Sequence, residues 1–499
     1  MPSSRNPVEL GLAPRTIGNG SSETAAARYG YPGLLLSLAT GSVSLSYWDY
    51  QLRLDGGTPN DGWTVFAFGA SDTLSTPAAD ADPEDPSPPL EPSLILGFHR
   101  LDLRYHRTLG RLTATARTTL GYDRTHSQGS DFSVKVAEPS LQLRWKRDPS
   151  LTLVAGLEGS WHDIDQGIRV ASGADAGSMV TSSLDKFYGG AALAEALWRP
   201  TPSWLIRPGV RADALSDEHT TKVSADPRLT ARYAIARREL EDVPPDSDDS
   251  AIWLKGSAGI YHQPPRFVLP LPGLDQMPLQ YGLLRSYQTS LGTEVPLGGR
   301  FQLTTEGFFN YMDPTIFDLS VNDATVTTEA NQTLIPQAGM TTTTAGQDFI
   351  DRLTRPQQGR AYGLEAMLRR QARNGVFGWV SYTLSRSERL LSNRWVAYDF
   401  DRTHLFNFVA GLPLRRNWDL GLRLQYQSGK PVTTTAGYNE ARTDGYLRFD
   451  VRVDKRAVWR SWLLDFYVDI TNIALLPEEV QVGTVIRYVL PTVGLRGRF

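Results

Sequence analysis

The sequence predicts an all-β fold, a transmembrane antiparallel β-barrel of about 19–20 strands. Three observations lead to this prediction. Apolar and polar side chains alternate with a period of two, the alternating segments are about 10–14 residues long, and short turns alternate along the chain with long polar connections.

The alternation is clearest in the last hundred residues. Apolar side chains alternate there with charged ones in the order Leu447, Arg448, Phe449, Asp450, Val451, Arg452, Val453, Asp454. Residues 112–123, 420–427 and 464–471 follow the same pattern. Successive side chains of a strand point to opposite faces, so each segment has one apolar face and one strongly polar face.

Segment length separates a membrane barrel from a soluble sheet. A tilted strand needs about 9–11 residues to cross a bilayer, whereas strands of soluble proteins average about 5–6. The polar faces also carry many Arg and Asp side chains, which suit a water-filled lumen. The apolar faces are therefore expected to contact lipid.

The connections between the segments alternate in length. Short ones lie near residues 109–111, 146–150, 199–203, 296–300, 373–376, 415–418 and 459–462, and long polar ones near 74–92, 164–182, 263–284, 314–358 and 431–445. The acidic stretch 238–250 is the exception, since it falls where a short turn is expected. Beside the short turns we expect an aromatic girdle formed by Trp145, Trp198, Trp204, Trp418, Trp459 and Trp462.

The pattern divides the chain into two parts. Residues 1–30 are expected to be disordered or irregular, and residues 31–499 are expected to form the barrel. No run of about 18 apolar residues is present, which excludes a membrane-spanning helix. The N-terminal residues lack the apolar stretch and the small-residue cleavage site of a secretory signal peptide.

Composition and motifs argue against an enzyme. The net charge of −3 gives no basic surface for nucleic acid, and the absence of cysteine excludes disulfides and thiolate metal sites. The sequence contains no phosphate-binding glycine loop, zinc-protease motif or nucleophile elbow. The seven histidines show no metal-ligand spacing, so we predict no catalytic residues, no metal site and no cofactor.

Several short segments, taken in order, resemble the barrel of TonB-dependent outer-membrane receptors. The most specific is 359–365, GRAYGLE, which is similar to the "GxxxGxE" strand of that family, and 399–404, DFDRTH, is similar to the element that opens the next strand. Further matches lie at 208–213, 226–229, 261–265, 290–294, 469–472 and 490–497. The resemblance extends from about residue 200 to residue 499.

The resemblance implies a receptor in the cell outer membrane that takes up a ligand, namely a siderophore, cobalamin, an oligosaccharide or a peptide. Members of the family have a signal peptide, a plug domain and a 22-stranded barrel, and neither the signal peptide nor the plug has a counterpart in this sequence. The expected partners are outer-membrane lipid, the ligand, and the TonB complex if the full-length protein contains a plug.

Candidate ligand-binding residues cluster around one long connection. They are Tyr261, His262, Gln263, Tyr281 and Tyr287, because aromatic and amide groups stack on and hydrogen-bond to sugars or aromatic siderophores. The alternative interpretation is that these side chains are interfacial aromatics and loop-packing groups. Glu294 and Glu365 are expected to point into the lumen and pair with arginines there.

Two other classes of function fit parts of the pattern. A barrel without a plug could act as a passive outer-membrane pore or a surface scaffold. A soluble, secreted β-rich carbohydrate-binding protein or hydrolase would share the period of two, but it would not need such long strands, and the sequence has no paired-carboxylate signature. Conductance in planar bilayers and stability without detergent separate these alternatives.

Overall fold

Long antiparallel strands dominate the computed structural model. It describes residues 8–11, 15–17, 21–30, 43–77, 90–127, 130–169, 179–181, 186–239, 247–265, 279–298, 300–315, 357–370, 375–391, 393–434, 437–459, 462–481 and 484–498.

The strands before residue 240 are β1 (Val8–Gly11), β2 (Arg15–Ile17), β3 (Ser21–Gly30), β4 (Ser44–Thr58), β5 (Asp61–Pro77), β6 (Leu90–Leu109), β7 (Leu112–Ser127), β8 (Ser130–Asp148), β9 (Leu151–Arg169), β10 (Met179–Thr181), β11 (Lys186–Trp198), β12 (Trp204–Asp217) and β13 (Thr221–Arg237).

The later strands are β14 (Ala251–Gln263), β15 (Leu284–Gly298), β16 (Phe301–Thr315), β17 (Gln357–Arg370), β18 (Phe377–Leu391), β19 (Arg394–Ala397), β20 (His404–Leu414), β21 (Trp418–Gln427), β22 (Pro431–Thr434), β23 (Gly437–Arg442), β24 (Tyr446–Trp459), β25 (Trp462–Thr471), β26 (Glu478–Gln481), β27 (Thr484–Ile486) and β28 (Leu490–Arg498). Two short 3-10 helices, Asp248–Ser250 and Leu279–Tyr281, interrupt the connections on either side of β14.

The sheet is an antiparallel meander in which each wall strand pairs with the next along the chain. Within the described residues the wall has 21 strands, with β1 and β2, which both pair with β3, counted as one and the short strands β10, β19, β22, β23, β26 and β27 left out. Cα atoms of β1 lie within 8 Å of Cα atoms of β28, so the first and last strands meet. The prediction of a transmembrane antiparallel β-barrel is confirmed.

The sheet begins earlier than the predicted boundary at residue 31. Ser21–Gly30 forms β3, which pairs with β4 from Ser22–Asp55 to Gly30–Tyr47, and the Arg28 guanidinium lies 2.5 Å from the Asp49 carboxylate. Residues 21–30 belong to the segment 1–30, which is rich in alanine, glycine and serine and is expected to be disordered or irregular; backbone pairing to β4 overrides that weak local signal. Residues 31–42, with which the predicted barrel begins, lie outside the described residues.

The two faces of the sheet differ as the alternation predicts. On β24 the side chains of Arg448 and Asp450 pair at 3.1 Å, and those of Arg452 and Asp454 pair at 2.7 Å. We call the face that carries these ion pairs the inner face. Glu294 lies on this face and accepts a hydrogen bond from Arg232 at 2.6 Å, which confirms its predicted luminal pairing.

The outer face exposes large apolar side chains. Several of them are about 60% exposed or more, among them Leu157 at 60%, Val223 at 75%, Leu291 at 64%, Leu364 at 62% and Val493 at 66%. Apolar exposure on this scale around a sheet is unfavourable in water and favourable in lipid. The outer face therefore disagrees with the soluble β-rich alternative.

An aromatic girdle lies on the outer face near the short turns. Trp145, Trp198, Trp204 and Trp418 are each exposed there, and the Trp204 ring centroid lies 4.6 Å from that of Tyr233. The side chains of Trp459 and Trp462 lie outside the described residues. Amphipathic rings at this level sit at the boundary between the hydrocarbon and the headgroups.

The connections sort to opposite ends of the barrel. We call the end with connections such as 59–60, 110–111, 149–150 and 415–417 the short-turn end, and the opposite end the long-loop end. The predicted exception, 238–250, contains the 3-10 helix Asp248–Ser250, which lies at the short-turn end. Among the described residues, no helix is long and apolar enough to cross a membrane.

Candidate luminal site

A recess opens in the inner face where five adjacent wall strands, β7, β8, β9, β11 and β12, meet. Its volume is about 340 Å³. Each strand contributes alternate residues, so the inner-face lining comes from Arg117, Thr119, Glu138, Ser140, Glu158, Ser160, Gly189, Ala191, Arg211, Asp213 and Leu215. We call this the β7–β12 recess.

Small side chains on β11 create the space. Gly189 and Ala191 stand opposite Ser160 and Glu158 of β9. A Cβ atom on Gly189 would lie 2.3 Å from Ser160 Oγ, so only glycine fits without displacing that hydroxyl. The wall is therefore thinnest at β11, between the longer side chains of β9 and β12.

Arg211 is the electrostatic centre of the recess. Its guanidinium lies 2.6 Å from the Glu158 carboxylate and 2.9 Å from the Asp213 carboxylate. On the opposite side of the recess, Arg117 pairs with Asp102, which also accepts a hydrogen bond from Thr119 at 3.1 Å. Both signs of charge and several hydroxyls line one concave surface, which suits a polar ligand with donors and acceptors.

An apolar patch lies beside the recess, towards the long-loop end. Its members are almost fully buried although they belong to the inner face; they are Phe132, Val134, Val136, Ile164 and Phe187. The sequence suggests a slip of the alternation at Pro139, but β7 and β8 keep one register from Leu112–Trp145 to Ser127–Ser130. The apolar residues of β8 therefore change face instead of the strand changing register.

Asp217 anchors a long connection to the same region. It ends β12 opposite Phe187, and its carboxylate accepts hydrogen bonds from the backbone N–H groups of His219 at 2.9 Å and Thr220 at 2.6 Å. The other carboxylate oxygen accepts the N–H of Leu279 at 2.7 Å, and Leu279 is fully buried. Asp217 thus fixes the end of the 264–283 connection to the strand that supplies Arg211 and Asp213.

Three of the predicted ligand-binding residues end β14. Tyr261 stands on the inner face opposite Ser286, and its ring approaches the position that a Cβ on Gly259 would take, at 2.9 Å. His262 is held by Asp226, with Nδ1 at 2.6 Å from a carboxylate oxygen. Gln263 is exposed at the end of the strand, so these three residues do lie at the long-loop end of the barrel.

The other two predicted residues lie elsewhere. Tyr281 ends the 3-10 helix anchored through Leu279, and its side chain lies outside the described residues. Tyr287 pairs with Ile260 and Tyr311 on the outer face, where its ring centroid lies 6.3 Å from that of Tyr311. Proximity along the chain therefore does not bring Tyr287 to the face that carries Tyr261.

Sequence reasoning missed the β7–β12 recess. Its charged residues are spread from Arg117 to Asp213, and no local pattern marks them as neighbours. The segment 208–213 was singled out only for its family resemblance, and Glu158 lies outside every such segment. Among the described residues, no group of three or more potential metal ligands is present.

Comparisons with known proteins support the fold. No protein-family model matches the sequence, and no curated protein matches it. The ferric-catecholate import receptor Fiu from K12 E. coli has a TM-score of 0.66 at 11% identity, covering 98% of this chain and 80% of that one. The siderophore receptor PiuA from Acinetobacter baumannii has a TM-score of 0.64 at 10% identity, covering 98% and 78%.

A third similar structure is the ferric citrate transporter FecA in its unliganded form. It has a TM-score of 0.64 at 12% identity and covers 97% of this chain and 74% of that one. At these identities the likeness establishes the fold. The chain has the β-barrel fold of TonB-dependent outer-membrane receptors, as the resemblance implied.

Proposed function

We propose that this chain is the barrel of an outer-membrane receptor that takes up a polar ligand. The observation that carries the proposal is the β7–β12 recess, a concave polar surface on the inner face of a receptor-type barrel. It lies on the same strand, β12, as Asp217, which holds Leu279 at the described end of the 264–283 connection. A ligand that enters from the long-loop end would meet the anchored connection first and the recess next.

The ligand class follows from the lining of the recess. Arg211 and Arg117 offer N–H donors to carboxylate or hydroxyl oxygens, while Glu158 and Glu138 accept from hydroxyl or ammonium groups. Ferric chelates, cobalamin, oligosaccharides and peptides all carry such groups. The similar structures include a ferric-catecholate import receptor, a ferric citrate transporter and a copper transporter.

Tyr261 and Gln263 are proposed to contact the ligand at the mouth, together with Tyr281. His262 is proposed to position the end of β14 through Asp226. Tyr287 faces outward and is proposed to contact lipid instead. The barrel is proposed to be one domain, which begins at β3 or earlier, and TonB is a partner if the full-length protein contains a plug.

Uptake by cells tests the proposal. Cells with and without the protein receive ⁵⁵Fe as a panel of ferric siderophores, labelled cobalamin or labelled oligosaccharides, and accumulation is measured with and without a protonophore. A receptor gives accumulation of one compound that requires the protein and stops with the protonophore. No protein-dependent accumulation of any compound would contradict receptor function.

A passive pore is the second candidate function. The described residues build the wall and most of its short turns, and ion pairs that water readily solvates line the inner face. Planar bilayers containing the purified chain separate the two functions. A stable large conductance, together with uptake that survives the protonophore, would favour the pore over the receptor.

A further inference from the structure

The turn between β20 and β21 places cationic side chains beside an outward-facing tryptophan. Arg415, Arg416 and Asn417 form this turn at the short-turn end, with φ values of 60° at Arg416 and 61° at Asn417. Trp418 pairs with Leu414 on one side and with Lys455 on the other. We call Leu414, Arg415, Arg416, Trp418 and Lys455 the Trp418 patch.

The patch continues the apolar outer face. Leu414 is 51% exposed and Trp418 is 42% exposed, and cross-strand pairing puts Lys455 on the same face. Lys455 Nζ lies 5.1 Å from the centroid of the Trp418 ring and donates a hydrogen bond to the Arg416 carbonyl oxygen. The ammonium is therefore held where the apolar band meets the polar turn.

The positive charge of the patch is not neutralised within the described part of the chain. Arg415 and Arg416 are exposed, and neither has a carboxylate within 4 Å among the described residues. The neighbouring Arg456, by contrast, pairs with Asp465 at 3.0 Å. Three cations thus surround one apolar surface that faces the membrane.

We propose that the Trp418 patch binds the headgroup of an anionic phospholipid. Leu414 and Trp418 would contact the acyl chains and glycerol, and the two arginines and Lys455 would contact the phosphate by charge-assisted hydrogen bonds. Short turns of outer-membrane barrels face the periplasm, so the lipid belongs to the periplasmic leaflet. The argument requires a membrane barrel but no particular transported ligand.

A similar arrangement occurs at β16 and β17. Arg370 pairs across the strands with Phe301 on the outer face, and its guanidinium lies 5.9 Å from the ring centroid. Arg370 donates a hydrogen bond to the Val376 carbonyl oxygen, so it keeps other donors for a phosphate. The Trp418 patch is the stronger site because it combines three cations.

Native mass spectrometry of the purified full chain with equimolar phosphatidylglycerol and phosphatidylcholine tests the proposal. The wild type should retain phosphatidylglycerol in preference. In the variant R415Q/R416Q the ratio of bound phosphatidylglycerol to bound phosphatidylcholine should fall at least about fivefold. Each cation near a membrane surface contributes about a factor of five to the binding of an anionic lipid. K455Q, which keeps a hydrogen-bond donor, provides an independent variant should the turn double variant fold poorly.

The control variant K135Q/R394Q removes the same charge from exposed side chains at the long-loop end. Heat-dependent gel mobility verifies folding of every variant. An unchanged lipid preference in R415Q/R416Q and K455Q would overturn the proposal, as would an equal loss in the control, which would assign the attraction to net charge. Displacement of the lipid by millimolar glycerol phosphate would overturn the commitment to a lipid.

Discussion

The Asp226 carboxylate is hydrogen-bonded to both the backbone N–H and the imidazole ring of His262. The His262 N–H donates to Asp226 Oδ2 at 3.2 Å, and His262 Nδ1 lies 2.6 Å from Asp226 Oδ1. The two residues come from segments 226–229 and 261–265, each of which independently resembles the receptor family. Their contact joins β13 to β14 at the point where the 264–283 connection begins.

The Asp226–His262 contact should be measurable as a coupling free energy. Asp226 is buried, so its removal leaves the His262 N–H without its acceptor, at a cost of about 1–3 kcal/mol. A double-mutant cycle with Asp226→Ala and His262→Ala, followed by thermal unfolding in detergent, should give a coupling of about 1–2 kcal/mol. Neither single variant alone distinguishes this coupling from lost packing.

The exposed pair Arg124–Asp131 is the matched control. Its partners lie 3.2 Å apart, with side chains 47% and 54% exposed. Solvent screening limits such a pair to about 0.2–1 kcal/mol. Equal couplings for the two pairs would show that Asp226 does not act as an anchor.

Filling the β7–β12 recess should impair uptake without harming the barrel. Ala191 faces the recess opposite Glu158, whereas its neighbour Ala192 faces outward opposite Leu157. Ala191→Leu should lower the uptake rate of whichever labelled compound the wild type accumulates by about tenfold, on the order of 1.4 kcal/mol. Uptake per folded molecule in membranes is the quantity to measure.

Ala192→Leu controls for the added volume. Its new side chain would enter the lipid-facing surface, where leucine is favourable. Wild-type uptake in Ala192→Leu together with loss in Ala191→Leu would support the recess. Wild-type uptake in both variants would exclude the recess as the path of the ligand.

Close packing against β18 explains why position 363 is glycine in the segment that resembles the family's "GxxxGxE" strand. A Cβ on Gly363 would lie 2.4 Å from the Leu384 carbonyl oxygen and 3.0 Å from the Ser385 Cα, both backbone atoms of β18. Gly363→Ala should therefore destabilise the barrel by about 1–3 kcal/mol, as overpacking does. The fraction that keeps its compact gel mobility on heating should fall at a lower temperature.

Gly190→Ala provides the comparison for Gly363→Ala. Apart from its chain neighbours, no heavy atom of the described residues lies within 4 Å of the position that its Cβ would take. Alanine there should leave the temperature at which the compact gel mobility is lost unchanged or raise it slightly, because glycine loses more backbone entropy on folding. A larger loss at Gly190 than at Gly363 would refute the steric explanation.

The strands of the barrel wall could be predicted from the sequence because one physical rule governs every strand. Lipid outside and water inside impose opposite polarity on alternate residues, and residues 447–454 show it directly. The rule does not hold in part of β8. Val134 and Val136 are apolar on the inner face, and alternation cannot tell an inner apolar patch from a change of register.

The candidate site was less accessible to sequence reasoning. Tyr261 and Tyr287 flank one connection, but strand parity puts them on opposite faces. The β7–β12 recess needs Glu158 and Arg211, which are 53 residues apart and meet only through the pairing of β9, β11 and β12. Cross-strand register decides both cases, since a shift of one residue would move every side chain of a strand to the other face.

The segment 399–404 shows a structural role for a pattern that suggested a receptor. Asp401 has a side chain only 1% exposed, and its carboxylate pairs with Arg442 and accepts the N–H of Ser387 at 2.6 Å. Arg442 belongs to β23, so Asp401 ties the β22–β23 hairpin to the end of β18. Removal of Arg442 would leave the buried Asp401 carboxylate with only Arg386, at 3.6 Å, to compensate its charge.

The short-turn end should lose stability in acid through Asp248. Arg199 Nη2 lies 2.7 Å from Asp248 Oδ2, and this hydrogen bond holds the pKa of the Asp248 carboxyl below its ordinary value despite partial burial. Because the folded pKa is the lower one, the stabilisation is complete above the unfolded value of about 3.9. It disappears as the pH falls through the folded value.

The variant Arg199→Gln isolates this contribution. Both side chains are more than a third exposed, at 38% and 48%, so the unfolding free energy of the wild type should exceed that of the variant by only about 0.2–1 kcal/mol at pH 7. The difference should shrink towards zero between pH 4 and pH 2 and should also fall in about 1 M salt. Unfolding curves in urea and detergent at each pH measure this difference. Urea is used because, unlike guanidinium chloride, it adds no ions that would screen the pair. A difference that stays constant from pH 7 to pH 2 would mean that Arg199 stabilises the 3-10 helix by packing and not through the Asp248 charge.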